Sequence, residues 1–171
     1  MVSNLTKITI RECLLEELPL VHEIEQEVYK KCKNKEIFSL LTDSEFSLRI
    51  KQPNYIFGCF DNQRLVGYII YKVPDKYELD EFDITTYGHN QNDTVILDGL
   101  AVLPHFRGLG LQKKMLAYFE NKVKNNLKSN IVATVHPDNT YCLNNFLDAG
   151  YSILKEKTMS YGQRFLIGKI I

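Results

Sequence analysis

The most constraining feature of the sequence is a segment in which a strand pattern passes through two glycines directly into a helix pattern. An apolar run rich in β-branched residues extends from Val95 to Leu103 and predicts a buried strand that ends at Pro104. A four-residue apolar spacing then predicts a helix with one buried face, formed by Leu111, Met115, Phe119, Val123 and Leu127. The segment therefore predicts a strand, a sharp turn and a helix in direct succession.

The turn between the two elements has the composition of an anion site. It reads Arg107-Gly108-Leu109-Gly110-Leu111-Gln112. Glycines permit a sharp turn and let main-chain N–H groups approach a ligand, and a helix N-terminus adds unpaired donors and a partial positive charge that bind phosphate. The helix start carries Lys113 and Lys114, with no acid before Glu120. These lysines alone would also fit a solvated surface helix, but together with the glycines they favour a bound anion.

This order of strand, Arg-Gly-x-Gly and helix resembles the coenzyme A motif of the GNAT superfamily of N-acetyltransferases, written Gln/Arg-x-x-Gly-x-Gly/Ala. Arg107 and Gly110 match the motif, and Gln112 stands at its last position, where its backbone N–H would remain available. The second half of the chain resembles the family again, because Asn139 followed by Gly150-Tyr151 is similar to its Asn…Gly-Phe/Tyr segment. A P-loop sequence and the third glycine of a dinucleotide fingerprint are both missing from the sequence.

The resemblance implies acetyl-CoA as cosubstrate and a set of residues that bind it. The main chain from Arg107 to Lys113 would bind the diphosphate, and Leu100 to Val102 would hydrogen-bond the pantetheine arm. The implied contacts are Leu100, Ala101, Val102, Arg107, Gly108, Leu109, Gly110, Leu111, Gln112, Lys113, Asn139 and Phe146. A backbone N–H of the same strand would polarise the thioester carbonyl.

Two residues inside the predicted central strand stand out. Gly99 interrupts the apolar run and predicts a bulge, which in the family would open a slot beside the strand. Asp98 is a carboxylate in an apolar run, which is unfavourable unless it is partnered or functional. The resemblance makes Asp98 a candidate general base, and acceptance of backbone hydrogen bonds around the bulge is the structural alternative.

The general acid departs from the family pattern. The family's tyrosine, seven residues after the Asn, is Phe146 here, and its acid five residues before the Asn is Thr134. Tyr141 or Tyr151 would have to protonate the leaving thiolate, unless water does so or the thiolate leaves unaided. Two histidines are expected outside the chemistry, His136 at the surface or as a cap and His105 exposed. Covalent catalysis by Cys142 is not supported by any nucleophile–base motif.

Composition excludes several classes of function. The 171 residues contain 21 Lys and Arg and 21 Asp and Glu, which gives no argument for a nucleic acid or membrane partner. The four cysteines show no paired spacing, so we expect no metal site. We expect the cysteines to be reduced thiols. The first seven residues lack the apolar core of a signal peptide, and we expect a cytoplasmic location.

The remaining patterns predict the order β-α-α-β-β-β-α-β-α-β-β in one domain, residues 1–171. Pro19 fits the first turn of the first helix, and the second helix, within residues 42–51, is capped by Thr42 or Asp43 and stopped by Pro53. Residues 74–93, acidic and aromatic, show no periodicity and predict either a binding loop or a solvated, partly mobile insertion. Gly150 closes the last helix.

The fold class is α/β (α+β). This order, with the resemblance, implies a GNAT-like mixed, mostly antiparallel sheet of about seven strands with about four helices, splayed between the fourth and fifth strands. The expected function is direct acetyl transfer from acetyl-CoA to a small primary amine or a peptide amine. The acidic loop favours a cationic acceptor. A non-catalytic acyl-CoA sensor or partner module, transfer of a longer acyl group, transfer to a hydroxyl, and a homodimer stay open.

Overall fold

The protein is built on one twisted sheet. The structure is a computed structural model and describes residues 7–51, 55–87 and 90–171. In this part of the chain the sheet has seven strands in the order β1-β2-β3-β4-β5-β7-β6. Their bounds are β1 Ile8–Glu12, β2 Tyr55–Asp61, β3 Arg64–Lys72, β4 Thr94–Val102, β5 Asn130–Val135, β6 Ser152–Met159 and β7 Gly162–Ile170. Pro53, the predicted stop of the second helix, lies outside the described residues, as do residues 1–6, 88 and 89.

The sheet opens between β4 and β5, as predicted. These two strands pair in parallel from Thr94 to Leu97, and among the described residues no strand pairs with residues 98–102 of β4 on that side. All the other neighbouring strands pair antiparallel. The pairing of β4 with β3 shifts register at the same point, because Ile70 faces Gly99 whereas Tyr71 faces Leu97. Asp98 is therefore the extra residue of a bulge, and the bulge predicted from Gly99 is confirmed.

Five α-helices connect the strands in the described part of the chain. They are α1 Leu18–Lys31, α2 Asp43–Arg49, α3 Lys76–Glu81, α4 Leu111–Asn125 and α5 Thr140–Asp148. Pro19 lies in the first turn of α1, and Thr42 caps α2 in a reciprocal pair with Glu45, as the sequence predicts. One helical prediction is wrong. Helix α4 ends before Leu127, which is 89% exposed and has a positive φ of 58°.

The absence of regular structure predicted for residues 74–93 is also wrong where the structure describes them. The Asp75 side chain caps α3 by accepting from the Glu78 amide, and the Glu78 carboxylate accepts in turn from the Asp75 amide. The Asp-x-x-Glu pattern of this cap is present in the sequence, although apolar periodicity is missing. Leu79, Phe82 and Ile84 are buried against the sheet, so this part of the segment is a packed element and not a solvated insertion.

Alternate residues of β3 divide the core between the two faces of the sheet. Tyr68 and Ile70 pack with Val21 of α1 on one face. Ile69 and Tyr71 pack with α4 and α5 on the other. Tyr68 is thereby placed on the same face as the buried residues of α1. Among the described residues, no helix combines the length and apolarity needed to cross a membrane.

Candidate active site

The loop before α4 presents unpaired main-chain donors. Gly108 and Gly110 have positive φ values of 79° and 71°, which only glycine adopts without strain. A Cβ at either position would meet nothing within 4 Å, so backbone conformation and not space calls for glycine. Within the described residues, the amides of residues 108–113 donate to no protein acceptor, and the first bonded amide is that of Lys114, 3.1 Å from the Gly110 oxygen. The predicted anion site thus has free donors.

Side chains around this loop tie it to neighbouring elements. The Gln112 amide accepts a hydrogen bond from Asn145 at 2.9 Å and donates to the Cys142 sulfur at 3.4 Å, which joins the start of α4 to α5. Lys113 lies 2.7 Å from Asp148 on the protein surface. An exposed pair of this kind contributes little to stability. Gln112, which departs from the family motif, therefore has a structural role of its own.

A cavity of about 670 Å³ lies over these amides; we call it the amide-lined cavity. Its floor is the unpaired half of β4 and the loop before α4, and its other walls come from the end of α1 and the start of α5. The lining includes Leu100, Ala101, Val102, Arg107, Gly108, Gly110, Leu111, Gln112, Lys113, Asn139 and Tyr141. Of the predicted cofactor contacts, only Leu109 and Phe146 are missing from this lining.

A second cavity, of about 220 Å³, lies on the other side of the opening in the sheet; we call it the acid-lined cavity. Its ionisable lining residues include Glu25, Glu45, Glu78, Glu81 and Asp98, with the cations Lys72 and Arg164. Of the residues that the structure describes, five line both cavities, and they are Ile37, Phe38, Leu100, Asn139 and Cys142. The two cavities consequently meet where β4 separates from β5.

Asp98 lies in the acid-lined cavity with both carboxylate oxygens in ion pairs. Arg49 of α2 donates to Oδ2 at 2.6 Å, and the Lys72 ammonium lies 3.1 Å from Oδ1. Lys72 also pairs with Glu78 of α3. Burial opposes the charge of Lys72, but Asp98 and Glu78 outweigh it and raise the pKa of the ammonium. The network joins α2, the bulge and α3 around the cavity, and a role of Asp98 as base stays a prediction.

Glu25 is a buried carboxylate of this cavity that pairs with no lysine or arginine among the described residues. It is 1% exposed on α1, and its Oε1 accepts from the Leu41 amide at 3.2 Å. Within the described residues, Oε2 and the buried hydroxyl of Tyr68 make no hydrogen bond. Burial raises the pKa of Glu25 from its ordinary value of 4.5 to about 7, with contributions from the nearby charges of Glu45 and Asp98. Burial also raises the pKa of Tyr68.

The remaining candidates are distributed unevenly around the two cavities. Phe146 is buried and lines only the acid-lined cavity, whereas Tyr141 is 60% exposed and lines only the amide-lined one. Tyr151 lines neither, and its hydroxyl is buried near Glu120. Cys142 lies at the junction, but burial raises the pKa of its thiol to about 11, which disfavours the nucleophilic thiolate.

The two histidines differ in position. His105 is exposed, as predicted. His136 is 6% exposed, so a surface position is wrong; its Nδ1 accepts from the Asp138 amide at 3.1 Å, a turn-capping contact at the wall of the acid-lined cavity. Among the described residues, no group of three or more His, Cys, Asp or Glu side chains is arranged to hold a metal ion.

Several residues in and beside the acid-lined cavity were not predicted from the sequence, among them Glu25, Arg49, Lys72 and Tyr68. Glu25 carried a usable signal, because it stands four residues after Val21 on the apolar face of α1. A buried carboxylate at such a position is unfavourable unless it has a function or a partner. Arg49 and Lys72 carried none, since each ends an element and reads as an ordinary surface charge.

Known structures with the same fold are N-acetyltransferases and related proteins. The ribosomal-protein-S18-alanine N-acetyltransferase of Escherichia coli aligns with a TM-score of 0.74 at 15% identity, over 96% of this chain and 94% of that one. Ard1 of Thermoplasma volcanium aligns with a TM-score of 0.75 at 15% identity, over 96% and 97%. YncA of Salmonella typhimurium, whose structure contains its cofactor acetyl-CoA, aligns with a TM-score of 0.73 at 16% identity, over 96% and 94%.

At these identities the structural matches establish the fold alone. No curated protein matches the sequence. The family is shown by a different comparison, in which the model of the acetyltransferase (GNAT) family matches residues 18–151. Because this match spans most of the chain, including the amide-lined loop and both sides of the opening in the sheet, the protein belongs to the acetyltransferase (GNAT) family.

Proposed function

We propose that the protein transfers an acetyl group from acetyl-CoA to an amine by direct attack. The observation that carries this proposal is the meeting of the two cavities at the opening between β4 and β5. A donor bound in one cavity and an acceptor bound in the other would meet there, and holding two reactants in contact lowers the barrier without a covalent enzyme intermediate.

The amide-lined cavity fits acetyl-CoA. Its free amides at residues 108–113 and the charges of Arg107 and Lys113 suit a diphosphate. The unpaired edge of residues 98–102 offers main-chain groups for the pantetheine arm, and Asn139 lies at the junction of the cavities. When bound, acetyl-CoA supplies an acyl thioester. The same unpaired edge would offer a backbone N–H to the thioester oxygen, where charge develops during transfer.

The proposal keeps Tyr141 as the donor of a proton to the leaving sulfur. It is the tyrosine that lines the amide-lined cavity, whereas Phe146 carries no hydroxyl. Asp98 remains a candidate base, although its two ion pairs favour a positioning role. Replacement of Tyr141 by Phe should lower kcat about tenfold or more, by analogy with other general acids. An unchanged kcat would assign the proton to water.

The acid-lined cavity favours a cationic acceptor, such as a primary amine or the amino group of a peptide. Among the described residues, five carboxylate side chains and two cationic side chains, Lys72 and Arg164, line it, so acidic groups outnumber cations. Residues of α3, in the acidic segment, contribute Glu78 and Glu81. An ammonium group would be attracted into the cavity, but it must lose a proton before its nitrogen can attack.

A panel of amines assayed with acetyl-CoA by release of free thiol tests the proposal. We expect turnover with cationic primary amines and little with neutral or acidic acceptors. Parallel reactions with longer acyl-CoA donors and with hydroxyl acceptors define the donor and the reaction class. Phe146, in place of the family's tyrosine, favours one alternative, a non-catalytic acyl-CoA-binding module. That alternative predicts saturable binding of acetyl-CoA with no thiol release from any acceptor.

A further inference from the structure

Glu25 and His22 form a buried pair that leads from the acid-lined cavity to solvent. Glu25 lines the cavity, and its Oε2 lies 3.7 Å from Nδ1 of His22, one turn earlier on α1. Both atoms are buried, and neither has a hydrogen-bond partner in the described part of the chain. The rest of the His22 side chain reaches the surface, where 39% of it is exposed.

Packing holds both residues in place. The Leu41 amide fixes Oε1 of Glu25 at 3.2 Å, which leaves Oε2 for another partner. The His22 ring packs edge-on against Phe46, with ring centres 5.4 Å apart. The other ionisable groups that act on Glu25 are Glu45 of α2, Asp98 of β4 and Tyr68 of β3. The charges of the two carboxylates raise the pKa of Glu25, whereas the Tyr68 hydroxyl, close to the carboxylate, lowers it.

We propose that Glu25 takes the proton from the acceptor ammonium and passes it through His22 to solvent. The inference rests on the proposed function and supplies the base for it. Glu25 is preferred to Asp98 because the oxygens of Asp98 already face Arg49 and Lys72, whereas no lysine or arginine in the described part of the chain pairs with Oε2 of Glu25. The raised pKa of Glu25, about 7, suits proton exchange near neutral pH.

The protons and bonds balance without a further reactant. The ammonium gives its first proton to Glu25, and the neutral nitrogen forms the new N–C bond as the C–S bond breaks. The electron pair of that bond leaves with sulfur, which takes up a second proton from the nitrogen directly or through an intermediate donor. The first proton leaves by way of His22. One proton is thus released to solvent for each amide formed from an ammonium.

The kinetic experiment compares wild type with Glu25→Gln and with Glu23→Gln as the matched control. Glu23 lies on the same helix and is exposed. We expect Glu25→Gln to lower kcat about 100-fold or more and to remove the acidic limb of the pH–rate profile, while Glu23→Gln keeps both. A Glu25→Gln enzyme that retains that limb would overturn the assignment. If Asp98→Asn lowers the rate but keeps the acidic limb, Asp98 has a positioning role. If Asp98→Asn alone loses the acidic limb, Asp98 is the base.

The acceptor's own basicity gives a readout that a structural role would not move. A fluorinated analogue of an accepted amine, neutral already at pH 7, needs no base. The loss caused by Glu25→Gln should therefore shrink at least tenfold for this analogue. An equal loss for both amines would mean that Glu25 supports the fold and does not take the proton.

His22 is tested by rescue. We expect His22→Ala to lower kcat in dilute buffer, with partial recovery on addition of imidazole, because a diffusible base then takes the proton from Glu25. An unaltered kcat in dilute buffer would remove His22 from the path.

Carboxyl NMR with labelled glutamate separates these outcomes from failure of the proposed function. Even without turnover, Glu25 should titrate near pH 7, and binding of a primary ammonium ion should shift its titration to lower pH. Titration near 4.5, or indifference to the amine, would overturn the inference.

Discussion

The two cavities that meet at the opening of the sheet are built from different parts of the chain. The amide-lined cavity uses consecutive main-chain groups, the free amides of residues 108–113, which a local glycine pattern exposes. The acid-lined cavity uses side chains that come together from distant segments, such as Glu25, Arg49, Lys72 and Asp98. We therefore expect backbone changes to impair the first cavity and side-chain changes to impair the second.

The largest effect is expected from the ion network on the acid-lined side. Arg49→Met would leave Asp98 with one cation in a largely buried position and should lower the free energy of unfolding by about 3–5 kcal/mol. Urea unfolding measures the loss. Arg64→Met, at an exposed arginine that lies over the Phe106 ring, is the control and should change stability by less than about 1 kcal/mol. An equally small loss for Arg49→Met would show that the network does not hold this wall together.

The next effect concerns Glu25 and the dependence of stability on pH. Its pKa is raised from 4.5 in the unfolded chain to about 7 in the folded protein, so the folded state binds the proton more tightly. The resulting stabilisation is complete below pH 4.5 and is lost as pH rises through 7, by about 3 kcal/mol at most.

Glu25→Gln should abolish this dependence. At pH 8 the variant should unfold at a higher urea concentration than wild type, because it buries no charge, and the difference should vanish towards pH 4.5. Unfolding curves at a series of pH values measure it, with Glu23→Gln again as control. Parallel pH profiles for Glu25→Gln and wild type would contradict the buried, proton-binding state of Glu25.

A smaller loss is expected from a single amide of the amide-lined cavity. Proline is tolerated in the first turn of a helix but has no N–H. Lys113→Pro would remove one of the free donors, and it should weaken acetyl-CoA binding by about 1.5–3 kcal/mol, the contribution of a hydrogen bond to a charged group. Lys113→Ala keeps the amide and removes an exposed charge that is already paired with Asp148. Calorimetric titration with acetyl-CoA should show a clear loss for the first variant and a smaller loss for the second; equal losses would favour the side chain over the backbone.

The smallest effect is expected from the loop glycine. Gly110→Ala meets no steric obstacle, but its left-handed backbone conformation is strained by about 1–2 kcal/mol for an alanine. We expect the KM for acetyl-CoA to rise several-fold with the KM for the amine unchanged. Gly150→Ala, at a glycine with φ of 88° away from both cavities, should lower stability only. A rise in the KM for the amine in Gly110→Ala would show that the two sides are not separable.

The same contrast explains how far the sequence predicts the site. The amide-lined loop was predictable because its strand, glycines and helix are contiguous, and local propensities decide their conformation. Gly99 predicted the bulge for the same reason. Arg49 and Lys72 were not predictable, because a surface-like charge becomes a cavity wall only when α2 and β3 fold over the bulge. Glu25 was partly predictable. Its position on the apolar face of a helix is visible in the sequence, but the residues that surround it are not.

By itself the sequence determined the order of nearly all the elements, the bulge in β4 and the loop with free amides, since these depend on periodicity, glycine conformation and contacts close in the chain. The opening beside β4 was implied by the family resemblance. Only the tertiary structure decided which charges neutralise one another and that Glu25 is buried beside other acids. Residues 49 and 98 are far apart in sequence, yet their side chains are 2.6 Å apart in space. The strength of an electrostatic interaction depends on distance and burial, and neither is encoded locally.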